Sequence, residues 1–523
     1  MTTGSITSYR SDMRAGRDGF AQLLRAEWTK FTTVRGWVIG LMAGALVIVL
    51  LGLFAAASSH ATCNGQACNH SVPVGPGGEA VTDSFYFVHR PLAGNGSITV
   101  RVTSLTGGST SHDLGGPATA GLQPWSKAGI IIKESIKQGS AYAAMMVTGS
   151  HGVRMQYDYT GDTAGLAGAV STASPRWMRL ARSGDTITGY ESANGTAWTK
   201  VGTARLAGLS PAGQAGLFAT SPAYTQVTSQ RLLGSGGIVG PTLATAVFDH
   251  VSLHGTWPGG AWRGSLIGGG ASSVYPVQGG GYHQAGGRFT MGGSGDIAAA
   301  VAGAGNPGRA IEHSLVGAFA GLIALVVVAA MFITAEYRRG LIRTTLIACP
   351  RRGRVLVAKA VVIGAVAFVA GLAGAAAAVT LGERLLRDNG NFVYPVTPLT
   401  EVRVVAGTAA LFAVAAVLAV GIGAILRRSA AAVTAVIVVI VLPYILAVPH
   451  VLPVGAGQWL LRITPAAGFA IQQSIPQYPQ VSNAYTPSNG YYPLAPWAGF
   501  AVLCGYAALA LGLAIVLLRR RDA

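Results

Sequence analysis

Charge is scarce in this chain. Only 11% of its 523 residues are Asp, Glu, Lys or Arg and half are apolar, which excludes a single soluble domain, and mean hydropathy is +0.46. The apolar content also excludes disorder, and the lack of a Gly-x-y period excludes collagen. No G-x-x-x-x-G-K-[ST] run occurs, so the chain cannot cradle nucleotide phosphates in a P-loop. Nor is there an RNP, zinc-finger or helix-turn-helix pattern, and nucleic acid is not the reason for a net charge of +18.

What the chain does have is long uncharged runs. A hydrocarbon core of ~30 Å takes ~20 helical residues. Six segments reach that length without Asp, Glu, Lys or Arg: Gly36–Ala57, Ser314–Ala335, Ala360–Gly382, Val404–Leu426, Ser429–Pro449 and Pro496–Leu518. The first is longer than the apolar core of a cleavable signal and is read as an anchor. Carriers driven by protons or sodium place ionisable groups inside such spans, and none lies inside these. Small residues at Gly40 and Gly44, and at Gly317 and Gly321, permit close helix contact. Pro443, Pro449 and Pro453 are expected to kink or end span five, with Trp459–Gln473 dipping back into the outer leaflet.

The basic residues sort by side. With residues 1–35 inside, the inner segments hold 18 Lys and Arg and the short outer loops hold 4, namely Arg384, Arg387, Arg403 and Arg462. By the positive-inside rule both termini are cytoplasmic and residues 58–313 are extracellular in a multi-pass protein of the cytoplasmic membrane. That stretch is too long for a loop. Within it, short alternating segments with turn signals (Ser97–Thr103, Gly129–Lys133, Ala143–Thr148, Val153–Tyr159, Trp177–Arg182, Thr186–Ser192, Trp198–Val201 and Thr245–Leu253) predict an antiparallel sandwich. Residues 256–313 are Gly-rich and read as a second, irregular part. Cys63 and Cys68 lie just outside span one and are expected to form a disulfide closing a short loop, worth ~2 kcal/mol. Two free thiols are the alternative. A zinc site is less favoured because His70 is the single nearby third ligand.

Two resemblances then follow from the residues. The run from Trp125-Ser126-Lys127-Ala128-Gly129 through Gly152-Val153-Arg154-Met155 and Trp177-Met178-Arg179-Leu180 to Thr196-Ala197-Trp198 resembles the concanavalin-like jelly-roll modules of secreted bacterial proteins, over about 83–255. Such modules are sometimes sugar-binding, which implies an envelope glycan as a candidate partner; the fold alone does not assign one. The segment Glu336-Tyr337-Arg338-Arg339-Gly340-Leu341-Ile342-Arg343-Thr344-Thr345-Leu346, followed by Pro350-Arg351-Arg352-Gly353-Arg354, resembles the loop after the second span in permeases of type-2 ATP-binding-cassette (ABC) transporters. Phe20–Arg35 is similar to the amphipathic elbow helix of the same family, with Leu24, Glu27, Trp28 and Lys30 as its marked residues. Phe20, Leu23, Leu24, Trp28 and Phe31 fall on one face and Arg25 and Lys30 toward the other. The large insert between spans one and two departs from simpler members.

These readings give an α-helical membrane bundle of six transmembrane helices plus a large inserted all-β extracellular domain, a jelly-roll sandwich. The parts are a cytoplasmic N-terminus (1–35), span one (36–57), the extracellular domain (58–313), span two (314–335), a cytoplasmic coupling loop (336–359) and spans three to six (360–523). The resemblance implies an exporter permease paired as a homodimer or heterodimer in membrane lipid. Two separate ATPase subunits would supply ATP and Mg chemistry, with no cofactor, metal, catalytic residue or nucleic-acid partner in this chain. Glu336, Tyr337, Arg338, Arg339, Arg343, Thr344, Thr345, Arg351, Arg352 and Arg354 are the expected ATPase-coupling residues. A membrane-tethered, glycan- or envelope-binding domain without transport is the alternative, and its candidate acids, Glu134, Asp158 and Glu191, share no motif.

Overall fold

The computed structural model describes residues 19–60, 62–63, 66–67, 72–109, 121–230, 234–268, 280–303, 308–349, 351–448, 452–483 and 485–520. Helices account for its two sequence ends. Helix α1 (Phe20–Thr33) stops at extended Val34, and α2 (Arg35–Ser58) starts directly after, so the chain bends there. Helix α3 (Ala318–Arg338) is closed by Gly340 at φ 71°, a left-handed conformation that costs glycine nothing and turns the chain into the short α4 (Leu341–Ala348). Helix α5 (Arg352–Asp388) runs 37 residues, well beyond the uncharged stretch at both ends. Helix α6 (Pro398–Leu426) begins with Pro at its first turn and a Thr397 cap, as its sequence specifies.

The fifth expected span is α7 (Ser429–Val436), a π-turn (Ile437–Val441) and α8 (Leu442–Ala447). The widened turn sits just before Pro443, whose ring removes a donor from the ladder. Helix α9 (Val454–Ile463) and a 3-10 helix (Pro465–Gln472) follow, and α10 (Pro496–Arg520) ends the bundle. Six helical stretches are long and apolar enough to cross a membrane, and each overlaps an expected span. The glycines of α2 and of the segment entering α3 do meet: a Cβ on Gly321 would fall 3.0 Å from the Gly44 carbonyl, and one on Gly317 would fall 2.4 Å from that of Ile48.

Between α2 and α3 stand two seven-stranded sheets, antiparallel throughout. The first runs, edge to edge, Thr199–Arg205, Thr186–Ser192, Arg176–Ser183, Gly96–Ser109, Thr242–Gly255, Arg288–Gly293, Gly281–Ala285. The second runs Arg263–Ile267, Phe85–Ala93, Ala212–Thr220, Lys127–Lys133, Tyr142–Thr148, Val153–Tyr157, Gly161–Ala164. Their facing sides share one core that includes Val100, Ile130, Met145, Leu180, Leu217 and Phe248. Every strand expected from alternation is present. Phe85–Ala93 and Ala212–Thr220 were not legible, because a strand buried on both faces, or built of Ala and Gly, shows no alternation. The stretch read as irregular, 256–313, supplies Arg263–Ile267 to one sheet and the hairpin 281–293 to the other. The disulfide expected between Cys63 and Cys68 lies outside the described residues, and Cys349 and Cys504 are free.

The outer face of the second sheet is covered as well. Val81–Asp83 pairs with Ile297–Ala299 across it. Two fully buried lysines from one strand fix this cover: Lys133 Nζ donates to Asp83 Oδ2 (2.8 Å) and Tyr159 Oη (3.0 Å), and Lys127 Nζ donates to Asp296 Oδ1 (2.6 Å). The cover then packs on the bundle. Ala298, Val301 and Ala302 share a cluster with Tyr394, from the α5–α6 connection, and with Ile475 and Tyr491, from the α9–α10 connection. Tyr491 Oη accepts from Ala302 N (3.0 Å), Tyr394 Oη donates to the Val301 carbonyl (3.0 Å) and Asn483 donates to the Ala302 carbonyl (2.8 Å). The β-domain is therefore docked on the bundle by side chains of the α5–α6 and α9–α10 connections.

Glu312 lies at this junction, in the 3-10 turn Ile311–Leu315, and accepts from the amide (3.3 Å) and the hydroxyl of Ser474. Burial pushes its carboxyl from 4.5 up to about 7, against those hydrogen bonds and the Arg403 charge. The folded state thus holds a proton that the unfolded chain releases earlier, so stability falls as pH rises between about 4.5 and 7. The unfolding temperature of the purified chain is expected to be higher at pH 5 than at pH 8, and Glu312→Gln should remove most of that difference. An unchanged pH dependence in the variant would assign it to another group.

Candidate functional site at the basic end of the bundle

A lysine amine with no water around it is expensive unless carboxylates take the place of water. Lys359 is such a residue. It sits seven residues into α5, ~10 Å from the helix start, and its side chain is fully buried. Its Nζ donates to Glu27 Oε2 on α1 (2.5 Å) and to Glu336 Oε1 on α3 (2.6 Å). Lys30, three residues after Glu27 and hence on the same helix face, reaches the same two carboxylates at 2.9 and 3.2 Å. Two carboxylates and two ammonium groups make a neutral quartet joining three helices. Burial works against the Lys30 charge, but the hydrogen bond from Glu27 and the field of Glu336 outweigh it and raise its pKa above the ordinary 10.5.

Aromatic rings close the quartet on its apolar side. The Lys359 ammonium lies 4.9 Å from the Phe332 ring centre, and Phe332 meets Phe31 and Trp37 edge-on at 6.1 and 5.0 Å. Glu27 and Phe31 are thus the face of α1 that packs, with Leu24 partly buried beside them, while Trp28 is half exposed. The expected apolar face placed Trp28 with Phe31, and their rings do lie together, centres 6.4 Å apart, with Phe31 buried and Trp28 at the exposed edge.

The turn from α3 into α4 is also held. The Arg427 guanidinium, on a left-handed residue (φ 58°) that ends α6, lies 5.3 Å from the Tyr337 ring. Thr334 and Ser429 share a hydroxyl hydrogen bond of 2.8 Å, and buried Ile342 packs on Leu518 of α10. Beyond these anchors the turn and α4 are open: Arg338 and Arg339 at the end of α3 are exposed, and on α4 Thr344 is exposed, Leu341 49% exposed and Ile347 82% exposed. Thr345 is half buried, and its hydroxyl, like that of Thr344, donates to the Leu341 carbonyl. Arg343 lies on the same short helix, its side chain outside the described positions. Arg351 and Arg354 are exposed around the start of α5, and Arg352 donates to the Leu518 carbonyl (3.1 Å).

The residues expected to couple therefore divide. Glu336 and Tyr337 face inward as foundation, Thr345 and Arg352 are half buried, and the exposed ones form two groups: Arg338, Arg339 and Thr344 around the turn into α4, and Arg351 and Arg354 at the start of α5. Sequence reasoning placed Lys359 as a boundary charge of span three and missed its position between Glu27 and Glu336. The available signal was the Glu-x-x-Lys spacing of residues 27 and 30 together with two further opposite charges at span ends. In the β-domain the candidate acids do not converge on a site: Glu191 accepts from Leu166 N (2.8 Å) and Asp158 from Tyr142 N (3.2 Å). No cluster that could hold a metal occurs among the described residues.

Six apolar helices, and a basic end presenting a short exposed helix, describe a multi-pass membrane protein of transport type. Residues 186–523, more than half of the chain, match the ABC-2 family of transporter proteins, and the chain belongs to that family. It is accordingly the permease subunit of an ABC transporter, a class that works with an ATPase. No curated protein sequence matches it. Among solved structures, it is similar to a functionally unknown protein from Saccharomyces cerevisiae (17% identity, 34% of this chain and 77% of that one, TM-score 0.22). It is also similar to scytalido-glutamic peptidase with a peptide-based transition-state analog (10% identity, 40% and 98%, TM-score 0.22). Likenesses this slight have no bearing on activity.

Replacing Lys359 with Met should leave two buried carboxylates competing for Lys30, a loss of about 3–5 kcal/mol. Unfolding in mixed micelles should show that loss, and Glu27→Gln with Glu336→Gln added to Lys359→Met should recover much of it. Equal destabilisation by the single and the triple variant would mean that side-chain volume, and not charge, is what the position needs.

Proposed function

We propose that the chain is one of two permeases in an exporter and that α4 is the contact for an ATPase subunit. The observation that carries this is the contrast at the basic end: exposed Arg338 and Arg339 at the turn into α4, and Leu341, Thr344 and Ile347 open on α4 itself, beside a neutral quartet whose Glu27, Glu336 and Lys359 are buried. A push on α4 reaches α3 through the Gly340 turn, and Lys359 passes it to α1 and α5 together. The basic end is the cytoplasmic one, by the 18 to 4 distribution of Lys and Arg, and the β-domain, which we infer to be a jelly roll, stands outside. Two ATPase subunits bind ATP and Mg, and the permease itself carries out no chemistry. Docking of the β-domain through Tyr394 and Tyr491 favours this reading over a loosely tethered domain, since movement of the bundle would be felt by the sheets.

Arg339→Glu with Arg343→Glu places carboxylates where the partner accommodates cations, at a cost of about 2–5 kcal/mol. The variant should insert in the same orientation, because the other inner Lys and Arg remain. It should lose both co-purification of its ATPase subunit and the stimulation of ATP hydrolysis in nanodiscs. A variant that keeps its ATPase at full stimulation would overturn the assignment of α4.

A further inference from the structure

At the basic end a cavity of about 520 Å³ opens between the start of α5, the last turns of α10 and the beginning of α1. Its mouth is built of guanidinium groups: Arg351, Arg352 and Arg354 from the head of α5 and Arg519 from α10. None of its lining residues is acidic, and the first turn of α5 contains no acidic residue either. The deeper wall is different. Val357 and Ile515 lie about one helical turn further into the bundle than the arginines, and Phe20, the first residue of α1, closes the side. Gly353 keeps the floor open, because a Cβ there would approach Ile515 to 3.2 Å and the Arg519 guanidinium to 3.6 Å.

We infer that this cavity binds the headgroup of an anionic phospholipid, with the phosphate among the arginines and the acyl chains running along Val357 and Ile515. The order of the wall carries the inference: cations at the rim and apolar side chains one turn deeper reproduce the order of charge and hydrocarbon in a lipid. Guanidinium forks suit phosphate oxygens, and several arginines at one site exceed what a topological signal requires. A soluble phosphate would leave the apolar wall unused. An ATPase contact is served by α4, whose exposed residues lie on a different helix. The inference rests on membrane embedding of the bundle and not on the identity of the ATPase.

The test uses the full chain in nanodiscs of phosphatidylcholine with a minor fraction of phosphatidylglycerol, released into native mass spectrometry to count retained lipids. Wild type should keep phosphatidylglycerol in preference to phosphatidylcholine. Arg351→Gln, Arg354→Gln and Arg519→Gln combined should weaken that retention on the order of 100-fold, at the usual contribution of each basic residue near a membrane surface. Val357→Trp, which fills the deeper wall and keeps every arginine, should also lose the lipid. Three results would overturn the inference: retention unchanged in the triple variant, retention lost in the triple variant but intact in Val357→Trp, or displacement of the lipid by inorganic phosphate at ordinary ionic strength. Loss of a bound ATPase with the lipid retained would reassign the arginines to protein docking. Since the triple variant changes polar groups at a cavity mouth, its unfolding temperature in phosphatidylcholine alone should match wild type.

Discussion

The bundle depends on one ammonium group. Lys359 is surrounded by protein, and the Glu27 and Glu336 carboxylates at 2.5 and 2.6 Å replace the water it has lost. An ion pair in such a place contributes little net stability compared with well-packed apolar side chains, yet it is costly to break. That asymmetry suits a joint. Helices held by oil-like contact alone can slide past one another in lipid, where no hydrophobic force opposes it, whereas helices sharing a buried charge must move together or expose it. Lys30 completes the neutrality, and the Phe31, Trp37 and Phe332 rings keep the group dry.

The same device recurs at the far end. Lys127 and Lys133, also fully buried, tie the cover strands to the outer face of the second sheet through Asp296 and Asp83. From the sheets to the helices four apolar clusters follow one another: sheet core, sheet cover, the tyrosine-rich junction and the helical core. In a permease of the ABC-2 family this succession gives the β-domain a mechanical connection to the helices in place of a flexible tether. Glu312 sits where the connection passes from cover to bundle, which is why its carboxyl bears the cost of burial.

Basic residues in this chain do three kinds of work. Most obey membrane topology. Arg427 and Arg352 are structural, one over the Tyr337 ring and the other on the end of α10. Arg338 and Arg339 at the turn before α4, and Arg351, Arg354 and Arg519 at the 520 Å³ cavity, face outward, toward what lies outside the chain. Charge counting cannot separate these uses, since each residue contributes the same unit to the inside of the membrane.

Properties local to the chain were settled by the sequence itself. Six apolar stretches follow from length, eight strands from alternation, and the start of α6 from Thr397 and Pro398. The family resemblance of 336–359 was likewise visible as a string of residues. Only the tertiary structure decided that Glu336 faces inward, that Trp28 is left exposed beside a buried Phe31, that Gly44 meets Gly321, and that Phe85–Ala93 and Ala212–Thr220 are neighbours inside a sheet. It also decided that the connection before α10 is a docking surface for the β-domain. The physical reason is range. Length, periodicity and capping are read within a few residues, but a buried charge is defined by whatever neutralises it, and the carboxylate that Glu27 offers Lys359 comes from 332 positions away.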